Sequence, residues 1–455
     1  MDVARMNLSH GELDVHLERI RLVRKAAREA GRVVGILVDL PGPKIRTGQF
    51  CEAGAFLVEG AELLLVPHDD DTVMCDASRI SVDYPSLLED LKVGDSVVIG
   101  DGAIRLVVES VGESSARCRV VSGGRVIGRP GVHLPSERLR LTAPTEHDLE
   151  LLEGLRGTEV DFVAASFVRS ADDVSMVQRH CGPDRPMVIA KLETAPAVNA
   201  LDAILHVADG VMVARGDLGI ECPIEDLPHL QKRIIRRAVE AGVPVITATQ
   251  MLESMVHAPV PTRAEVTDIA NAVFDGTDAV MLSGETAIGT DPALVVRTMA
   301  KIARRAELEA NYRGWGSRMG KLQRREAFGA SPDSVLITGA MTHAAWQVAE
   351  DAGCAAILCC TRSGLTARAM ARFRPEGLLV GLSPRPRTTS QLALSWGVVP
   401  LSVDVYSSTD ELVWFAVESA VRAGIVRKGQ VVAVLAGAPD SDQPATDVLR
   451  LVRVR

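Results

Sequence analysis

Short apolar runs recur along the chain, each closed by polar residues and followed by an amphipathic stretch long enough for a helix. This pattern predicts strands at 2–7, 33–39, 160–167, 187–191, 210–214, 244–249 and 279–283. Helices fit between them at 12–30, 171–180, 195–206, 227–241, 266–274 and 292–310. Strands that alternate with helices imply a parallel sheet, open or closed into a barrel.

Between Thr47 and about Arg140 the texture changes to short alternating runs split by Gly and Asp, at 61–66, 96–99, 104–111 and 116–121. Val-Gly-Asp at 93–95 and Ser-Gly-Gly at 122–124 are turn signals, so 47–140 reads as a small β domain inserted after the second strand. The first unit is thereby split into 1–46 and 141–312. After a polar, Arg-rich stretch at 313–325, a separate α/β domain is expected over 330–455, with strands at 334–338, 355–361, 378–382, 398–403 and 430–436. No internal repeat or low-complexity segment interrupts this order.

Composition narrows the field of functions. A length of 455 residues suits two or three domains, and 47% hydrophobic with 24% charged residues is ordinary globular usage. The 50 Lys+Arg against 59 Asp+Glu leave a net charge of −9, which argues against a nucleic-acid polyanion as main partner. Small phosphorylated ligands need only a local cluster of cations and stay in play. The eight cysteines show no CxxC pair and no disulfide-framework spacing, which suits a reduced cytoplasm. The polar N-terminus and the lack of an apolar run near the ~18 residues of a membrane span point the same way.

In a parallel βα architecture the ligand site lies at the carboxyl ends of the strands. The residues there are Arg5, Asn7 and Ser9; Asp39, Lys44 and Arg46; Ser166; Lys191 and Glu193; Arg215, Gly216 and Asp217; Thr249 and Gln250; and Ser283 and Glu285. One polar residue closing a strand is usually a cap or turn former, but cations, carboxylates and hydroxyls on successive strand ends are hard to explain as caps alone. Lys191 closes the apolar run Met-Val-Ile-Ala, so its ammonium needs an anionic partner. It is either a structural salt bridge to Glu193 or a cation aimed at a phosphoryl group or a developing enolate. Glu193 and Asp217 follow consecutive strands and suit a divalent ion with open positions, Mg2+ rather than zinc. The alternative is two solvated carboxylates answering Arg5 and Arg215. Backbone N–H groups at Arg215 to Leu218 offer a place for a carboxylate.

These strings together resemble the pyruvate kinase family, in its bacterial type. The segments are MDVARMNLSHGE, ILVDLPGPKIRTG, VDFVAASFVR, VIAKLETAPAVNALDAIL, DGVMVARGDLGIE, PVITATQMLESM, PTRAEVTDIANAVFDGTDAVMLSGETAIG, TRSGLTARAMARFRP and KGQVVAVLAG, in family order over nearly the whole chain. The resemblance implies a (β/α)8 TIM barrel, an inserted β-barrel lid and a C-terminal α/β domain for regulation and oligomerisation. It also implies phosphoryl transfer from phosphoenolpyruvate to ADP, giving pyruvate and ATP, in a cytoplasmic homotetramer. By motif position, Lys191 would stabilise the phosphoryl group and the enolate, Glu193 and Asp217 would hold Mg2+ or Mn2+, and Arg5 would grip the phosphoryl group. Gly216, Asp217 and Thr249 would seat the substrate carboxylate, and Ser283 and Glu285 would line the proton-delivery side. Arg46, His147, His10 and the lid residue Asp101 would contact the nucleotide, while Asn7, Ser9, Asp39 and Leu40 would form the monovalent-cation site.

The chain departs from the family pattern at several points. Leu40 and Lys44 stand where potassium-dependent members carry Thr and Glu, so the Lys44 ammonium is expected to supply the charge of K+ and make added potassium unnecessary. His147 stands where a lysine usually binds nucleotide phosphates and is a weaker anion partner. The loop of Thr361, Arg362, Ser363, Gly364 and Thr366 suits an effector phosphate, whereas the acidic loop at 437–442 lacks the glycines of sugar-bisphosphate-regulated members. An effector is therefore expected to be a monophosphate, or absent. A catalytically weak relative that keeps the fold and a phosphate-effector role is the alternative function. Finally, seven barrel strands are counted where closure takes eight, and the chain begins in what resembles the family's second strand. A first βα unit of about 30 residues is thus expected to be missing, leaving an open barrel of low stability or activity.

Overall fold

A computed structural model describes residues 1–68, 73–100, 102–326, 333–404, 409–437 and 445–455. Its largest sheet has seven strands: Val3–Asn7, Gly35–Asp39, Phe162–Ala165, Met187–Leu192, Gly210–Ala214, Val245–Ala248 and Ala279–Val280. They pair in chain order and every pair is parallel. The five inner strands are buried on two faces, which is why they read as near-continuous apolar runs. In the fourth strand Val188, Ala190 and Leu192 pack outward against the helices, while Met187 and Ile189 join Leu37, Phe162, Ala164, Met212 and Ile246 in an inner cluster. The curled sheet with helices outside is a TIM-like α/β fold.

Capping explains several helix starts. Ser170 and Thr262 close capping boxes with Asp173 and Glu265 at the N-termini of Ala171–Cys181 and Arg263–Asp275. The stretch expected as one helix at 195–206 is two, Ala195–Asn199 and Leu201–Val207, meeting at Ala200.

The insertion after the second strand forms a six-stranded sheet in the order Val132–His133, Ser96–Ile99, Ile104–Val111, Ala116–Ser122, Glu62–Pro67 and Arg79–Val82. It is antiparallel except for its last pair and has its own apolar cluster, with Phe50, Leu65, Ile80, Leu106 and Val120 inside. The C-terminal sheet runs Val398–Ser402, Leu378–Ser383, Ala356–Cys360, Val431–Ala436 and Val448–Arg453, the last strand antiparallel to its neighbour.

The strand expected at 334–338 does not form; those residues open the helix Asp333–Asp351. Their β-branched residues suggest a strand, but Met341, Ala345, Trp346 and Ala349 recur at helical spacing and pack into the main core. The C-terminal domain seats against the amino ends of the barrel strands, where Leu394 enters the inner cluster and Gln391 Nε2 donates to the Asp161 carbonyl at 3.2 Å. Among the described residues no helix is long and apolar enough to cross a membrane.

Candidate active site

The period-two alternation of the strands places the chemistry. Ile189 points into the barrel, so Lys191 does too; the same count carries Leu37 to Asp39 and Ala164 to Ser166. Lys191 Nζ lies 2.9 Å from Glu193 Oε1 and 3.1 Å from Asp39 Oδ1, and donates to Ser166 Oγ at 2.7 Å. The Ser166 hydroxyl in turn donates a hydrogen bond to the Leu40 carbonyl at 2.7 Å. Asp39 is 1% exposed, and its Oδ2 accepts from Arg5 at 2.7 Å. Lys191 therefore makes the salt bridge to Glu193 and also a second one, to Asp39, in one cluster of two cations and two carboxylates.

Burial alone would push the Asp39 carboxyl up, but Lys191 and then Arg5 hold it below its ordinary value. Burial opposes the Lys191 charge as well, and Asp39 with Glu193 overcomes it, so the ammonium is held well above the usual lysine value. For Glu193 burial wins against Lys191, with the Asp217 charge adding to the upward push. That push puts Asp217 within electrostatic reach of Glu193. Asp217 lies in the first turn of Arg215–Glu221 and has no side-chain partner among the described residues. Glu193 Oε2 accepts from the Phe167 N–H at 2.7 Å. Two carboxylates, one of them free, fit a hard divalent cation that keeps further positions for oxygen ligands.

The carboxylates do not answer Arg5 and Arg215 as solvated partners. Arg5 is taken by Asp39, and buried Arg215 bonds Asp268 at 2.6 Å, the Thr249 carbonyl at 2.6 Å and the Ala248 carbonyl at 3.1 Å. Arg215 thus buttresses the turn after the sixth strand. There Thr249 and Gln250 adopt φ of 69° and 54°, and Phe167 after the third strand adopts 54°, a left-handed conformation that non-glycine residues hold only when the surroundings impose it. Thr249 Oγ1 accepts from the Gly216 N–H at 2.9 Å and donates to the Ala248 carbonyl at 2.7 Å, so two of the three residues expected to seat a carboxylate adjoin.

Glu285 is 1% exposed, and both its oxygens accept backbone N–H groups, from Leu252 at 3.0 Å and Ser283 at 2.7 Å. That geometry ties the loop after the sixth strand to the one after the seventh. Asn7 Oδ1 accepts from the Ser9 N–H at 3.2 Å.

A cationic rim surrounds the cluster. Besides its own burial, Lys44, Arg46 and Arg5 all press His10 below its ordinary value, so these groups share one electrostatic neighbourhood. Arg46 Nη1 donates to the Arg129 carbonyl at 3.1 Å. Lys44 is exposed, its stem beside Gly131 on the wall of a cleft between the inserted sheet and the barrel. Phe167, Arg169, Thr194 and Glu221 line the same cleft. His147 is exposed near the start of helix Glu146–Gly154, its Nδ1 3.6 Å from Glu150. Asp101 and residues 438–442 lie outside the described residues.

In the C-terminal domain the Thr361 hydroxyl accepts from the Gly364 N–H at 2.9 Å, and Thr366 meets Thr446 at 2.7 Å. Both are buried, while Arg362 and Ser363 are exposed. Two elements of the site carry no sequence signal: the bridging part of Ser166 and the left-handed turns at Phe167, Thr249 and Gln250 are set by contacts between strands.

A parallel barrel-type sheet with a part-buried, doubly paired lysine, a neighbouring pair of carboxylates and nearby cations defines an α/β-barrel protein with an ionic site at the carboxyl ends of its strands. The chain belongs to the pyruvate kinase family. The family model for the pyruvate kinase barrel domain matches residues 1–296, and that for the pyruvate kinase alpha/beta domain matches residues 339–452. The pyruvate kinase of Clostridium acetobutylicum is 40% identical over 99% of this chain and 93% of its own length. That of Methylorubrum extorquens is 41% identical over 100% and 92%, and that of Geobacillus stearothermophilus 39% over 99% and 76%.

Proposed function

We propose that the chain is a phosphotransferase that moves the phosphoryl group of phosphoenolpyruvate to ADP, giving pyruvate and ATP. The observation that carries this reading is Lys191, held between Asp39 and Glu193 with Asp217 in electrostatic reach. Phosphoryl transfer needs positioning and charge neutralisation more than covalent chemistry, and the cluster supplies both. Lys191 stabilises the charge that builds on the phosphoryl group and then on the enolate oxygen. Arg5, oriented by Asp39, grips the phosphoryl group from the first strand. Gly216 and Thr249 seat the substrate carboxylate by exchanging their present bonds for bonds to it. Glu193 and Asp217 would hold a divalent cation, Mg2+ or Mn2+, whose chemistry is to neutralise phosphate oxygens. Arg46, Lys44 and His10 offer the rim on which ADP phosphates settle. Full-length relatives and the complete cluster weigh against a catalytically weak relative.

A lactate-dehydrogenase-coupled assay with phosphoenolpyruvate, ADP and Mg2+ tests the reading. Pyruvate should form at a rate proportional to enzyme, and no turnover above background would overturn it. Run in buffer free of sodium and potassium, the same assay tests Lys44. Activity should be near its maximum without KCl, and a strong dependence on KCl would show that the lysine does not stand in for the ion.

A further inference from the structure

Where the C-terminal domain meets the amino ends of the barrel strands, three arginines line one small cavity. Arg368 belongs to the helix Leu365–Ala371, and Arg372 and Arg374 follow it. From the barrel side come Gly242 to Pro244, before the sixth strand, and Asp278, before the seventh; Ser395 closes the wall. The cavity measures about 10 Å³, room for one water-sized particle.

The donors around it outnumber the acceptors. Arg374 is 2% exposed; its Nη2 donates to the Gly276 carbonyl and stands 3.6 Å from Asp278, and its guanidinium lies 4.7 Å from the Trp396 ring centroid. Its Nε and Nη1 and Ser395 Oγ are buried with no hydrogen-bond partner among the described residues, as is Arg368 Nη1, which lies beside Gly364 at the edge of the cavity wall. Asp278 is engaged elsewhere, its oxygens accepting from the Val245 N–H at 3.0 Å and the Trp396 backbone N–H at 3.1 Å, and it forms no hydrogen bond to these donors. Arg372 spends its donors on the Val239 and Glu240 carbonyls. Three arginines and one carboxylate line the cavity; Asp209 acts on Arg368 and Glu307 on Arg374 from beyond its wall, yet burial still pulls both arginines below the ordinary value.

A water molecule is a poor occupant: it accepts two hydrogen bonds and brings two donors of its own into a place already rich in them. A spherical anion of similar size accepts from every side and compensates the buried positive charge. We infer that this cavity is a binding site for a single halide-sized monovalent anion, chloride in the first instance, which fastens the C-terminal domain to the underside of the barrel.

Crystals of the full chain grown in sodium bromide should show an anomalous peak between Arg374, Arg368 and Ser395. In solution, the thermal unfolding midpoint should rise by about 2–4 °C when sodium gluconate is replaced by sodium chloride at constant ionic strength, and the rise should saturate. Ser395→Val, which fills the cavity and removes one donor, and Arg374→Met should each abolish that increment. Two variants are used because Arg374→Met removes a deeply buried charged group and can fail to fold, whereas Ser395→Val adds only apolar volume next to the cavity and removes no charge. Absence of the bromide peak would overturn the inference, as would a chloride increment that persists undiminished in Ser395→Val.

Discussion

Replacing Lys191 by methionine should lower kcat in the coupled assay by about a thousand-fold or more, the scale of losing a preorganised group that stabilises developing charge. Methionine keeps the length of the stem, so the loss reports the charge rather than the packing. The variant should also be less stable by about 3 kcal/mol, because Asp39 and Glu193 are left buried without their shared cation. Measuring kcat per folded molecule separates the two effects. Lys191→Arg should not rescue activity, since a planar fork does not fit a slot bounded by Ser166 Oγ at 2.7 Å and two carboxylates at 2.9 and 3.1 Å. A kcat within tenfold of the parent in Lys191→Met would place the chemistry elsewhere.

Asp39→Asn should reduce kcat by about a hundred-fold while leaving KM for phosphoenolpyruvate unchanged or lower, the scale being that of a positioned polar group lost from an active site. Asp39 orients both Arg5 and Lys191 from a site 1% exposed. An amide of the same shape removes the counter-charge and leaves the pocket more cationic, so an anionic substrate binds no worse while the two cations lose their alignment. A purely structural role would raise KM and lower kcat together. The pH dependence of stability follows from the sign of the shift. The Asp39 carboxyl is held below its unfolded value, so its contribution to stability is complete above the ordinary carboxylate range. It is lost only as pH falls through the lowered value. The difference in unfolding free energy between parent and Asp39→Asn should therefore be full at neutral pH and shrink in strong acid. A difference that grew in acid would contradict the assignment.

Much of this was legible beforehand. Burial of the inner strands on both faces writes itself into the chain as apolar runs, and the pattern alone places six of the seven barrel strands to within two residues at their starts and ends. The shortest, Ala279–Val280, ends three residues before the expected end at Ser283, because the chain there turns into the loop that Glu285 ties down. The insertion announced itself through alternation and turn residues. At the start of the helix Asp333–Asp351 β-branched residues resemble a strand locally, and only the packing of its Ala345, Trp346 and Ala349 into the main core settles the period. The edge strand Val448–Arg453 alternates too weakly to stand out until it pairs with Val431–Ala436.

By itself the sequence determined which residues carry charge at which strand ends, because strand length and side-chain alternation are local properties of the backbone. It thereby put Arg5, Asp39, Ser166, Lys191, Glu193, Asp217 and Thr249 at one end of one sheet. Which of them touch was decided only by the tertiary structure. Lys191 chooses Asp39 as well as Glu193, Arg5 is taken by Asp39, Arg215 turns to Asp268, and Glu285 is spent on backbone N–H groups. These pairings depend on the curl of the sheet and on how strands remote in sequence are brought side by side. Electrostatic energy falls with distance, and sequence separation does not measure distance.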